Sequence, residues 1–125
     1  MIMQDKKTMI LGASTNPMRY AYVAAEMFAE RKIPFVPVGI KKGKVFGEEI
    51  LDLREEPQVE EVHTVTLYIG PQNQKEWYTY ILSLHPKRII FNPGTENQEL
   101  MELARAQNIE TCRACNLVLL STGQF

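Results

Sequence analysis

The sequence predicts one doubly wound α/β domain, a five-stranded parallel sheet with helices on both faces, spanning residues 1–125. Three observations predict it. Short apolar runs recur along the chain and close on Gly, Pro or Asn, as strands buried on both faces do. Between them lie stretches whose apolar residues repeat at helical spacing. Strands alternating with helices require right-handed crossovers, which put helices on both sides of a parallel sheet. A chain of 125 residues has room for one core and one principal site.

Thr8-Met9-Ile10-Leu11, ended by Gly12, forms the first strand. Asn16-Pro17 offers a capping side chain and then a residue suited to the first helical position. Tyr20, Val23, Ala24, Met27 and Phe28 follow at helical spacing, giving a helix from about Pro17 to Lys32. Phe35 to Gly39 is the second strand, with Pro37 expected near a strand end or at an unpaired position because it lacks an amide donor. Lys41 to Glu61 is irregular: a lysine cluster, a turn region around Gly43 and Gly47, then seven of the fifteen acids between Glu48 and Glu61. That acidic stretch reads as solvated surface.

Val62 to Ile69 is the third strand, with Val65, Leu67 and Ile69 on one face and Thr64, Thr66 and Tyr68 on the other. Trp77, Ile81 and Leu84, beside Tyr80, mark a helix of about Gln72 to Leu84, stopped by His85-Pro86. Arg88 to Phe91 is the fourth strand, and Asn92-Pro93-Gly94 the turn after it. Thr95 and Gln98 have capping-box spacing, and Leu100, Leu103 and Ala104 carry a helix to about Asn108. Ile109 to Cys112 completes the sheet, and Asn116 to Leu120 forms a terminal helical turn.

Fourteen Lys and Arg against fifteen Asp and Glu leave a net charge of -1, so no field over the whole molecule favours nucleic acid or an anionic membrane. Any anion site must be local. No apolar run approaches the roughly 20 residues that span a bilayer, and Met1 to Lys7 lacks the pattern of a signal peptide, so a cytoplasmic protein is expected. Cys112 and Cys115 cannot form a disulfide framework. Their C-x-x-C spacing suits a redox dithiol, yet a small buried hydrophobe at Cys112 and a loop thiol at Cys115 fit the pattern better. His63 and His85 lie far from them in sequence, so no metal site is expected. Ser14 lacks the flanking glycine of a nucleophile elbow, and Trp77 and Tyr80 sit at core-facing spacing rather than as stacking platforms for bases.

In such sheets the ligand crevice lies beyond the carboxyl ends of the strands, where the strand order reverses. The candidate loops are Gly12 to Arg19, Gly39 to Lys44, Ile69 to Asn73, Asn92 to Asn97 and Arg113 to Asn116. The first is the strongest phosphate site, because Gly12, Ala13 and Ser14 permit close backbone approach and the next helix points free amides at the crevice. A helix terminus supplies about 0.3–1 kcal/mol to an anion, so a cation such as Arg19 should assist. Neither G-x-G-x-x-G nor a Walker A pattern is present. Where a dinucleotide site carries an acid after the second strand, this chain has Gly39-Ile40-Lys41-Lys42-Gly43-Lys44. Lysines there favour a phosphorylated ribose, which both NADP and coenzyme A (CoA) present.

Gly12-Ala13-Ser14 with Asn16-Pro17 and Arg19-Tyr20, then Val36-Pro37-Val38, Gly47, Asn92-Pro93-Gly94 with Asn97, and Cys115 together resemble the small stand-alone CoA-binding domains of Rossmann type. These are similar in turn to the nucleotide-binding domain of the succinyl-CoA synthetase alpha subunit. The resemblance runs from Lys7 to about Leu120. It implies a pyrophosphate near Ser14 and Arg19, with Gly12, Ala13 and Asn16 shaping the turn. It also implies adenosine against the loop after Val38 and Gly39, with Lys42, and Lys44 nearby, reaching phosphate. Ile69, Pro93 and Gly94 would border the rest of the ligand. The chain departs from the family at Gly39-Ile40, where Asn-Pro is usual, at Ile69-Gly70-Pro71, where an Arg loop is usual, and at Phe91-Asn92-Pro93.

The expected function is therefore non-catalytic binding of CoA or an acyl-CoA, with a separately encoded protein as a further partner. The alternatives are a small NADP- or other nucleotide-binding oxidoreductase-like protein, and a fold with a degenerate ligand site that acts through protein contacts. No catalytic constellation is recognised.

Overall fold

A computed structural model describes residues 6–125. Its parallel strands are β1 (Thr8–Leu11), β2 (Phe35–Gly39), β5 (Leu51–Asp52), β6 (Thr64–Leu67), β7 (Arg88–Phe91) and β8 (Glu110–Arg113). They form one sheet in the order β5-β2-β1-β6-β7-β8. A separate antiparallel hairpin, β3 (Lys44–Val45) and β4 (Glu48–Glu49), lies between β2 and β5 in sequence. The helices are α1 (Tyr20–Glu30), α2 (Tyr78–Ser83), α3 (Gln98–Ala106) and α4 (Asn116–Ser121). Among the described residues no helix is long and apolar enough to cross a membrane.

The sheet thus has six strands where five were expected. The extra one, β5, arises in the stretch read as irregular, because Leu51 and Asp52 pair with Val38 and Gly39. Its partner is fixed by the fold, and two residues leave no periodicity to read. Pro37 occupies an unpaired position on β2. The carbonyls of Pro34 and Val38 accept from the Thr8 and Gly12 amides, so alternation turns the Pro37 nitrogen the other way, where β5 reaches only Val38 and Gly39.

The two faces bury different residues. Met9, Leu11, Val65, Leu67, Ile89 and Phe91 pack against Ile81, Leu100, Met101 and Ala104 of α2 and α3. Ile10 and Ile90 face Ala21, Ala24, Ala25 and Phe28 of α1 and Leu120 of α4. The alanines let α1 approach closely, and Phe28 fills the remaining space against Phe35 and Phe125, with ring centroids 6.2 and 5.3 Å away.

Several helix boundaries differ from expectation. Asn16 does cap, but it closes a turn by accepting from the Met18 amide, and α1 begins only at Tyr20. Tyr20, expected on the core face, is therefore exposed, as is Leu103 on α3. The helix expected from Gln72 is two 3-10 turns, Pro71–Asn73 and Lys75–Trp77, followed by the short α2. The cap of α3 is Asn97, whose side chain accepts from the Leu100 amide, while Thr95 is buried and donates its hydroxyl to the Asn92 carbonyl.

At the amino ends of the strands, His63 Nδ1 lies 2.7 Å from the Thr64 hydroxyl, which also accepts from Arg88 Nε. Burial first, then the charges of Arg88, Lys6 and Lys87, hold the His63 imidazole below its ordinary range, with Glu110 pulling the other way. The unfolded chain binds that proton more readily, so this contribution is complete above the unfolded pKa of about 6.5 and is lost as pH falls through the lower folded value. Thermal midpoints should therefore drop as pH falls below about 6.5, and His63→Gln should flatten that slope. An unchanged slope in the variant would remove His63 from the account.

Candidate functional site

Strand order reverses between β1 and β6, because β1 leads outward to β2 on one side and the chain returns to β6 on the other. A cleft of about 560 Å³ opens at the carboxyl ends of these two strands. One wall is the β1–α1 turn, from Gly12 through Ala13, Ser14, Thr15 and Asn16 to Met18, Arg19, Tyr20 and Ala21. Ile40 and Lys41 bound one end, and Tyr68, Gly70, Pro93, Gly94 and Thr95 the other.

Backbone geometry builds the polar wall. Gly12 has φ +104°, and a Cβ there would meet the Tyr68 backbone and the Ile69 side chain at 3.0 Å. The Gly12 and Ala13 amides both donate to the Val38 carbonyl, at 2.8 and 3.0 Å, which ties the turn to the end of β2. A Cβ on Gly39 would lie 2.7 Å from the Ala13 carbonyl, so the close approach of these two segments requires glycine. The Ser14 hydroxyl oxygen accepts from the Asn16 amide and keeps its own proton free to donate. No side chain caps α1, whose first turn lines the cleft with unclaimed donor capacity, and Arg19 sits at its N-cap.

The residues expected to form a site divide into groups. Gly12, Ala13, Ser14, Asn16, Arg19, Pro93 and Gly94 share the main cleft. Gly39 and Lys42 line a small side lobe with Ile50, Asp52 and Arg54, next to Ile40 and Lys41, which border both spaces. Val38 is fully buried and contributes its carbonyl. Lys44 stands exposed on β3, outside both spaces, and Ile69 presents its carbonyl to Gln74 Nε2 instead of its side chain to the cleft. Cys112 and Cys115 are half-buried free thiols, and among the described residues no group of three His, Cys, Asp or Glu side chains converges as metal ligands would.

Three features go beyond the sequence reading, which named Lys41 only within the lysine run and Asn92 only in the turn after the fourth strand. Lys41, rather than Lys42, borders the main cleft. Arg54 grips both oxygens of Asp52, at 3.0 and 3.2 Å, and donates to the Ile40 carbonyl at 3.2 Å. The Asp52 carboxyl is thereby held below its ordinary range, chiefly by the Arg54 side chain, and its charge is already matched. The Asp52-x-Arg54 spacing was the available signal. Third, buried Asn92 joins three elements: its Nδ2 donates to the Thr66 hydroxyl and the Leu67 carbonyl, and its Oδ1 accepts from the Asn116 amide. Gln74 similarly bridges the Ile69 and Thr95 carbonyls and accepts from Asn97, fixing the loop behind Gly70.

Comparison with known proteins follows this geometry. The family model described as "CoA binding domain" matches residues 6–121. The crystal structure of an uncharacterized protein superposes with a TM-score of 0.92 at 56% identity, covering 96% of this chain and 98% of the other. A Thermus thermophilus protein, cell-free ID.343, gives 0.80 at 20% identity over 96% and 90% of the two chains. A hypothetical protein from Pyrococcus horikoshii OT3 gives 0.80 at 23% identity over 94% and 82%, and these last two likenesses concern the fold alone. No curated protein matches. With a cleft at the β1/β6 reversal and a family match over nearly its whole length, this chain belongs to the CoA binding domain family.

Proposed function

We propose that this protein binds CoA or an acyl-CoA as a non-catalytic module, with the pyrophosphate on the β1–α1 turn and the phosphorylated ribose toward Lys41 and Lys42. The observation that carries this reading is the uncapped start of α1 opening into a cleft with Arg19 and Lys41 at its edge. Backbone donors and two cations suit a pyrophosphate, and glycines at 12 and 39 let that backbone come close. Asp52 supports CoA over NAD, because the Arg54 fork occupies the carboxylate that would otherwise hold a pair of ribose hydroxyls. With Arg54 engaged by Asp52, Lys42 is the cation that the side lobe offers to a phosphate.

Binding to the native state raises apparent stability, by about 2.7 kcal/mol at a ligand concentration of ~100 times Kd. CoA should therefore raise the thermal midpoint by several degrees and more than dephospho-CoA, with NADP and NAD weaker. Lys42→Ala should weaken CoA about fivefold to tenfold and leave dephospho-CoA nearly unchanged. Equal shifts from CoA and dephospho-CoA would remove the lysine assignment. Stabilisation by NADP above CoA would favour the dinucleotide reading, and no shift with any of the four would overturn nucleotide binding.

A further inference from the structure

Exposed apolar surface gathers at the mouth of the cleft. Among the described residues six large hydrophobic side chains are exposed; Met18, Tyr20 and Ile40 line the cleft, and Phe46 stands on the adjoining hairpin. Met18, Tyr20 and Ile40 are 87%, 74% and 59% exposed, so they touch little of their own chain. Single exposed apolar residues need no explanation, whereas a cluster marks a surface that meets something else.

The mouth and the hairpin adjoin. The loop from Ile40 runs directly into β3, and a Cβ on its Gly43 would lie 2.5 Å from Thr15 Cγ2 on the β1–α1 turn. Phe46 and Gly47 form the hairpin tip, at φ +49° and +88°. A two-residue tip with both φ positive ordinarily takes Asn, Asp or Gly, and a bulky side chain there is strained. Tyr22, with its ring 5.0 Å away, covers only part of the Phe46 ring, which stays 39% exposed.

Charge divides in the same way. Arg19 and Lys41 flank the apolar mouth, and no carboxylate lines the cleft with them. Glu48 and Glu49 follow the Phe46 tip, and both are exposed. The ion pairs among the described residues, Arg31 with Glu30 and Arg54 with Asp52, involve none of these four. An aromatic tip beside two acids thus complements an apolar hollow beside two cations, and one chain carries both. Such a surface is self-complementary about a two-fold axis, which brings each tip to the other copy's mouth. A nucleic acid or an anionic membrane would meet the two acids as well as the cations, which disfavours both.

We infer that a second copy of this chain docks across the cleft mouth, its Phe46 seated among Met18, Tyr20 and Ile40 and its Glu48 and Glu49 facing Arg19 and Lys41. Two such small patches make a small, weak interface. Resting on the CoA reading above, the phosphates of CoA claim the same two cations, so ligand and second copy exclude each other.

Sedimentation velocity of the full chain from about 5 to about 500 µM tests the docking, because a weak pair forms by mass action over such a range. The native chain should pass from monomer to dimer. Phe46→Ala should raise the dissociation constant about tenfold, as loss of an aromatic anchor does. Leu103→Ala, at an exposed position on α3, should leave it unchanged. Charge reversal in Glu48→Lys with Glu49→Lys, or in Arg19→Glu with Lys41→Glu, should abolish each variant's own dimer, and mixing the two variants should restore association. The replaced side chains are exposed, so each variant should keep the native circular dichroism spectrum. A native chain still monomeric at the highest concentration overturns the docking, as does a dimer that survives both reversals or a mixture that stays monomeric. Saturating CoA should dissociate the native pair. A pair that persists while calorimetry shows CoA bound overturns the competition alone, and CoA that does not bind overturns the CoA reading alone.

Discussion

Asn92→Ala should lower the thermal midpoint by roughly 10–20 °C, the largest loss expected from any single side chain at the site. The amide of Asn92 is buried and makes three hydrogen bonds of 2.7–2.8 Å, to β6 twice and to the first residue of α4. Truncation strands the Asn116 N–H and the Leu67 carbonyl and opens a cavity, for a total of about 3–5 kcal/mol. Asn92→Asp keeps the acceptor for Asn116 and loses the two donated bonds, so it should fall between native and Ala. Thermal denaturation followed by circular dichroism measures both. A drop of less than about 3 °C for Asn92→Ala would mean that water replaces the amide at little cost.

Gly39→Ala should cost about 2–3 kcal/mol and, well below the transition temperature, should also weaken CoA at least about tenfold. The added Cβ stands 2.7 Å from the Ala13 carbonyl, and both partners are backbone, so neither can rotate away. Relief requires the β1–α1 turn to move off β2, which stretches the two hydrogen bonds from the Gly12 and Ala13 amides to the Val38 carbonyl. The proposed phosphate cradle moves with it. Denaturant unfolding and calorimetry on the same sample separate the two effects. Native-like affinity in a destabilised variant would show that the cradle tolerates the displacement.

Both positions illustrate what was legible in the sequence. Thr8 to Leu11, Phe35 to Gly39 and Arg88 to Phe91 are strands at the predicted residues because buried parallel strands are written as apolar runs. The alternation at Thr64 to Ile69 correctly assigned Val65 and Leu67 to one face and Tyr68 to the other. β5 was illegible because two residues amid acids carry no period, and its existence depends on a partner 13 positions earlier. The start of α1 was misplaced because Asn16 serves a turn equally well, which propensity alone does not distinguish. Close approaches such as Gly39 to Ala13, and buried groups without a hydrogen-bond partner such as the Asn116 carboxamide, are tertiary facts with no local signature. The loop that walls the cleft was readable from small residues before a helix, whereas the placing of Lys41 rather than Lys42 on the main cleft depended on how the loop turns.

Pro37 reaches further than its own missing hydrogen bond. In register, Ile50 would face it, yet the Ile50 amide donates to the Gly43 carbonyl at 2.8 Å and closes the lysine loop on itself. That loop is held to α1 by buried Val45 and by the Phe46 ring, 5.0 Å from Tyr22, and β4 lies beside β2 without joining its ladder. The hairpin thus stands outside the ladder of the six strands while its Val45 anchors it in the core. The charge of its exposed residues, Lys44, Glu48 and Glu49, can therefore change without altering any pairing of the six strands.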